Sequence, residues 1–220
     1  MADPRRRLFA PEAPALVLVT DASRLRGRAL ADVVRAAIDG GVTVVQLRDR
    51  TASHADLVRE GRALHDATAG RALFFVNGDI EAALALGADG VHLPEDAASI
   101  ADIRARTGER LLISRAVHSV GAAVEAECAG ADLLQAGTLF ATASHPDAPL
   151  LGVEGLRALC DAVRIPVIAI GGITPANARE ALDAGASGVA VIGAIFDADD
   201  PLEAARDLRS ALSDARAGAR

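Results

Sequence analysis

The sequence predicts an α/β fold, a (β/α)8 TIM barrel in a single domain. Three observations lead there. First, one phrase recurs along the 220 residues: "DGGVTVVQLR" (39–48), "LGADGVHL" (86–93), "AGADLLQAG" (129–137) and "AGASGVAVIG" (184–193). In each, an alanine-rich helical stretch stops at a glycine, the residue that takes a left-handed turn at least cost. An aliphatic run too short for a helix follows. Second, eight such runs can be counted, each followed by a helical pattern, and eight parallel strands close a barrel. Third, an open doubly wound sheet, the alternative, would carry a G-x-G-x-x-G turn after its first strand. The first turn here reads "TDASRLRG".

Taken in order, residues 1–14 read as a flexible tail. They are basic at first, but Pro11, Glu12 and Pro14 break the apolar run, so they make a poor signal peptide. The barrel then occupies 15–215. Its strands are expected at 16–20, 42–48, 73–76, 90–93, 111–116, 133–136, 166–170 and 188–192. Its helices are expected near 28–39, 53–68, 79–86, 97–106, 119–129, 153–163, 175–184 and 200–215. The one long connection, "GTLFATASHPDAPLLG" (137–152), follows strand six on the catalytic face, and loops of that length in a tight domain are usually functional.

Composition narrows the function. Apolar residues make up 51% of the chain and suffice for a large core, but aromatics are only 2%, with no Trp or Tyr. A stacking platform for single-stranded nucleic acid is therefore not expected. The net charge of −7 argues against a nucleic-acid partner on electrostatic grounds. No run reaches the roughly 18 apolar residues that span a bilayer, so a cytoplasmic protein is expected. Cys128 and Cys160 fall in helical segments and read as buried reduced thiols.

Barrel active sites form where strands run into the following loops. Gly171 and Gly172 after strand seven, and Ile192 and Gly193 after strand eight, expose backbone N–H groups on neighbouring strands. Converging amides there make a phosphate cradle, with tight packing as the alternative use of those glycines. Arg48 and Arg50, two apart in "QLRDR", point the same way in an extended segment with Gln46 beside them. They suit an anion, or else salt bridges to Asp49 and other acids. Asn77, Glu95 and Arg115 also fall at strand ends, and His92 sits inside strand four. His118 directly follows strand five, where an imidazole reaches the mouth and can exchange protons near neutrality, or simply pack.

"QLRDR", "VNGDIEAALALGADGVHLPED", "SRAVHS", "PVIAIGGITPANAREALDAGASGVAVIGAIF" and "PLEAA" together resemble the thiamine phosphate synthase and TenI superfamily over roughly residues 15–210. That resemblance implies a (β/α)8 barrel, a small phosphate-bearing substrate of the thiazole phosphate type and a possible homo-oligomer. Two activities belong to it. Synthases join a pyrimidine diphosphate to a thiazole phosphate with Mg²⁺ on the diphosphate. TenI-type tautomerases aromatise a carboxythiazole phosphate by moving a proton, without metal. Synthases usually read Asn-Asp after strand three and "GQED" after "GVHL"; this chain has Asn77-Gly78 and "PEDA", with Ala97 at the second metal-binding position. Asp79 and Asp96 lie one residue off. Arg50 and His145 stand where synthases usually have lysines, and Ala116 where serine is usual.

"RDR", "NG", "HLP" and "SRAVHS" are similar to the tautomerase branch, although the long loop is closer to the synthase form. The resemblance therefore implies a tautomerase without a cofactor. In it His118 is the catalytic acid/base, Gly172 and Gly193 hold the phosphate, Arg48 or Arg50 meets the carboxylate, and Asn77 and His145 line the substrate. Synthase activity, with Mg²⁺, is the alternative. A non-catalytic binder of thiamine-related phosphates is a third reading from another class.

Overall fold

The computed structural model describes residues 14–142 and 149–217. Eight parallel strands pair in sequence order and close: β1 Ala15–Val19, β2 Val44–Leu47, β3 Leu73–Asn77, β4 Gly90–Leu93, β5 Leu112–Val117, β6 Leu133–Ala136, β7 Val167–Ile170 and β8 Gly188–Val191. β8 returns to β1 in register, with Leu16 opposite Val189. The helices are α1 Leu30–Asp39, α2 His54–Thr68, α3 Ile80–Ala85, α4 Ile100–Thr107, α5 Val120–Cys128, α6 Gly152–Ala162, α7 Ala178–Asp183, the short α8 Gly193–Phe196 and α9 Pro201–Ala217. The expected single-domain barrel is therefore present. The tail expected over 1–14 lies, apart from Pro14, outside the described residues.

The glycines of the repeated phrase act as expected. Gly41, Gly87, Gly130 and Gly185 all have positive φ, from 61° to 110°, each between a helix end and the next strand. The short side chains that start four helices also do local work. The side chains of Ser53, Asp79, Ser99 and Ser119 each accept from a backbone N–H three residues on, which satisfies a donor the first helical turn leaves without an acceptor.

Two apolar bodies hold the fold. The larger lies between sheet and helices, around residues such as Leu16, Val45, Phe74, Ile113 and Leu134. The smaller fills the barrel and takes the alternate residues, among them Val17, Val44, Leu73, Phe75, Leu112 and Ile168. Successive side chains on a strand point to opposite faces, so each strand feeds both bodies. Phe75 fits because Gly90 opposite has no side chain; a Cβ there would stand 2.4 Å from its ring.

Higher up the barrel the same inward positions turn polar: Gln46, Asn77, His92, Ser114 and Gln135. That change of composition makes the upper barrel a floor rather than more core.

Two expectations need correction. Cys128, at the last turn of α5, is exposed, and Cys160 in α6 is half-buried, packed at the edge of the larger apolar body beside Leu156 and Leu159. The short helix α8 was not expected, since four residues carry no readable period.

Among the described residues, no helix is long and apolar enough to cross a membrane.

Candidate active site

A cavity of about 1100 Å³ opens at the C-terminal end of the strands. Its floor is a chain of buried amides. Gln46 Nε2 donates to Asn77 Oδ1 at 3.0 Å, and Gln135 Nε2 donates to Gln46 Oε1 at 3.2 Å. His92 completes the floor, with Nδ1 2.9 Å from Ser114 Oγ. Full burial, reinforced by the positive charges of Arg115 and Arg48, pushes its imidazole down to about 3. His92 is therefore a neutral ring at any working pH.

On the β2 side stand Arg48 and Arg50, both lining the cavity as their two-residue spacing suggests. Burial, followed by repulsion from Arg50, lowers the pKa of Arg48; a guanidinium stays charged regardless. Thr20 ties this loop to β1. Its hydroxyl accepts from the Arg48 N–H at 2.8 Å and donates to the Arg48 carbonyl at 3.1 Å.

On the β7 and β8 side lie Gly171, Gly172, Ile192 and Gly193. Asn177 braces the turn after β7: its Nδ2 donates to the Gly172 carbonyl at 2.9 Å and its Oδ1 accepts from the Thr174 N–H at 2.8 Å. Only glycine fits at 171 and 172. Their φ angles are 105° and 64°, and added Cβ atoms would meet Thr138 Cγ2 at 2.6 Å and the Ala141 carbonyl oxygen at 2.5 Å. Gly193 opens α8, where first-turn N–H groups have no acceptor within the helix. Sequence reasoning missed Arg24, which also lines the cavity and pairs with Asp197 at 2.5 Å near Gly193. No motif marks Arg24, and only the closure of β8 onto β1 brings it here.

His118 lines the mouth with its side chain about half exposed. Its Nδ1 lies 2.5 Å from the Gly137 carbonyl oxygen. A carbonyl only accepts, so Nδ1 carries the proton and Nε2 is left toward Glu95, at 3.9 Å from Oε2. His145 lies outside the described residues. The other sequence-predicted site residues border this cavity, except Arg115, which projects from the outer face of β5 and binds the carbonyls of the loop after β4.

The carboxylates are arranged differently from a pair gripping Mg²⁺ between the loops after β3 and β4. Position 78 is glycine and position 97 alanine. Asp79 is committed elsewhere: Oδ1 accepts from the Ala82 N–H at 2.8 Å, capping α3, and Oδ2 meets His54 Nδ1 at 2.8 Å. Among the described residues, Glu95 and Asp96 on the β4 side and Asp197 after α8 line the cavity, and Asp197 is paired with Arg24. Among the described residues, no three His, Cys, Asp or Glu side chains gather as a metal site. The expected two-loop set does not fit.

The chain has close relatives. The thiamine-phosphate synthase of Chloroflexus aurantiacus is 45% identical over 201 residues, 90% of this chain and 92% of that protein. That of Natronomonas pharaonis is 43% identical over 199 residues, covering 89% and 93%. The solved thiamine phosphate pyrophosphorylase of Pyrococcus furiosus superposes with a TM-score of 0.85 at 38% identity, over 96% of this chain and 98% of that one. These relatives overturn the tautomerase reading, in which His118 was the proton-moving catalyst. That reading rested on four short phrases at the mouth, whereas the likeness to synthases runs through the whole barrel. The thiamine monophosphate synthase family matches residues 16–195; with the barrel and the site in place, this chain belongs to that family.

Proposed function

We propose that this chain is a thiamine-phosphate synthase, a transferase that joins a hydroxymethylpyrimidine diphosphate to a thiazole phosphate. One observation supports the reading, beside the relatives: one cavity is lined by guanidiniums at β2 and by glycine backbone at β7 and β8, two ends of a kind that suits anions. Two phosphate-bearing substrates need two such ends.

The chemistry follows from the bond made. The thiazole ring nitrogen forms a bond to the pyrimidine methylene carbon, and that carbon's bond to a diphosphate oxygen breaks. The electron pair leaves with the diphosphate. Backbone amides near Gly172 and Gly193 anchor the thiazole phosphate and aim the ring nitrogen. Arg48 and Arg50 meet the charge that grows on the leaving group. The neutral floor of Gln46, Asn77, Gln135 and His92 offers donors and acceptors to a heteroaromatic edge without adding charge. No proton moves in forming this bond, so His118 has no shuttle to perform.

The test offers the purified chain both substrates and follows thiamine phosphate. Product formation that falls less than about tenfold in His118→Ala is expected, against the 10²- to 10⁴-fold loss of an essential acid/base group. Absence of product under all metal conditions would overturn the reading.

A further inference from the structure

We propose that this site holds its diphosphate by guanidinium groups alone and needs no divalent cation to bind it. The inference rests on the synthase reading above and deepens it.

Mg²⁺ requires about six oxygen ligands in strict octahedral geometry. On the β3 side, Asn77 Oδ1 accepts from Gln46 Nε2, and Asp79 turns its two oxygens to α3 and His54. On the β4 side, backbone carbonyls could supplement Glu95 and Asp96, but they face the other way. Arg115, only 7% exposed, projects from the outer face of β5 and gathers them. One terminal nitrogen donates to the carbonyls of Pro94 at 2.9 Å, Glu95 at 3.0 Å and Ala97 at 3.4 Å. The other donates to Ala98 at 2.7 Å. Four carbonyl oxygens of this loop are therefore bound to a cation already in the protein. Burial lowers the pKa of Arg115, and the charges of Glu95 and Asp96 act against that, so the guanidinium stays charged beside them.

Across the mouth, Arg48 and Arg50 present two more permanent positive charges to the cavity. A diphosphate has many acceptor oxygens, and each guanidinium has five N–H donors in a planar fork that suits them. The pair supplies charge and direction together.

The test is calorimetric titration of the full chain with inorganic pyrophosphate, in EDTA and in excess Mg²⁺. Dissociation constants within about threefold of each other are expected. Arg48→Met should weaken pyrophosphate in EDTA at least tenfold, the equivalent of about 1.4 kcal/mol, and leave inorganic phosphate at the glycine end unchanged. Binding tenfold tighter with Mg²⁺ would overturn the metal-free site and leave the synthase reading standing, with Glu95 and Asp96 as ligands. No pyrophosphate binding in either buffer would overturn both.

Discussion

His92 and Ser114 are register partners on β4 and β5, and their side chains meet at 2.9 Å inside the barrel. The contact fixes the imidazole plane in a place where the ring cannot take a second proton. Its pKa, held down to about 3 by burial first and then by Arg115 and Arg48, lies below the ordinary 6.5. The unfolded chain therefore binds a proton between those values that the folded chain refuses. Stability from this group is complete above about pH 6.5 and is lost as pH falls toward 3, at up to about 1.4 kcal/mol per pH unit. Urea unfolding from pH 7 to pH 4.5 should show that slope, and His92→Gln should flatten it. An unchanged slope would mean that His92 charges in the folded barrel.

The two cradle glycines should fail differently when changed to alanine. Gly172→Ala forces a side chain into a left-handed position, at about 1–2 kcal/mol, and drives it into the Ala141 carbonyl. Gly193→Ala meets Asp197 Oδ2 at 2.7 Å and Arg24 Nη1 at 3.4 Å, the ends of flexible side chains that can shift away. Thermal unfolding should drop by several degrees in the first variant and hardly move in the second. Inorganic phosphate affinity should fall about tenfold in both if their amides hold the anion.

Removing the clamp on the β4–α4 loop should act at one end of the cavity. Arg115→Met leaves four carbonyls to find water and should cost about 2–3 kcal/mol in urea unfolding. In steady-state assays, KM for the pyrimidine diphosphate should rise and KM for the thiazole phosphate should stay. Equal rises in both would show a general loss of structure instead.

The two thiols should separate in a simple titration. Burial pushes Cys160 up to about 11, with Asp161 adding to the shift, while Cys128 is exposed. A thiol-reactive disulfide at pH 8 should modify about one equivalent quickly and the second only on denaturation. Two fast equivalents would place Cys160 in a looser helix than α6.

The barrel was legible because its signal is repeated. Each glycine stop and each short aliphatic run reports the same unit, and strands such as Gly90–Leu93 and Leu133–Ala136 fall where their residues suggest. Helix ends were less legible: α4 starts at Ile100 rather than near 97, because the segment before it is held by Arg115, a contact with no local sequence signal. The glycines and arginines of the site were readable from strand position. Arg24 was not, and Asn177 passed unnoticed as a brace although its phrase was plain. The assignment of chemistry failed for a related reason. Substitutions at Gly78 and Ala97 look decisive when read as a local code, but they alter one rim of a cavity whose remaining walls resemble synthases.

The glycine end of the cavity sits on β7 and β8, the guanidinium end on β2, and β1 lies between them. A barrel built this way can be edited like a tool with a fixed handle and an exchangeable head. On the proposed reading, mutations at the β2–β4 rim would retune the leaving group, its counter-ions or the reaction itself, while the glycine end would go on presenting a phosphate-tagged partner at the same height. A laboratory library confined to the loops after β2, β3 and β4 would sample new chemistry without sacrificing the docking of that partner.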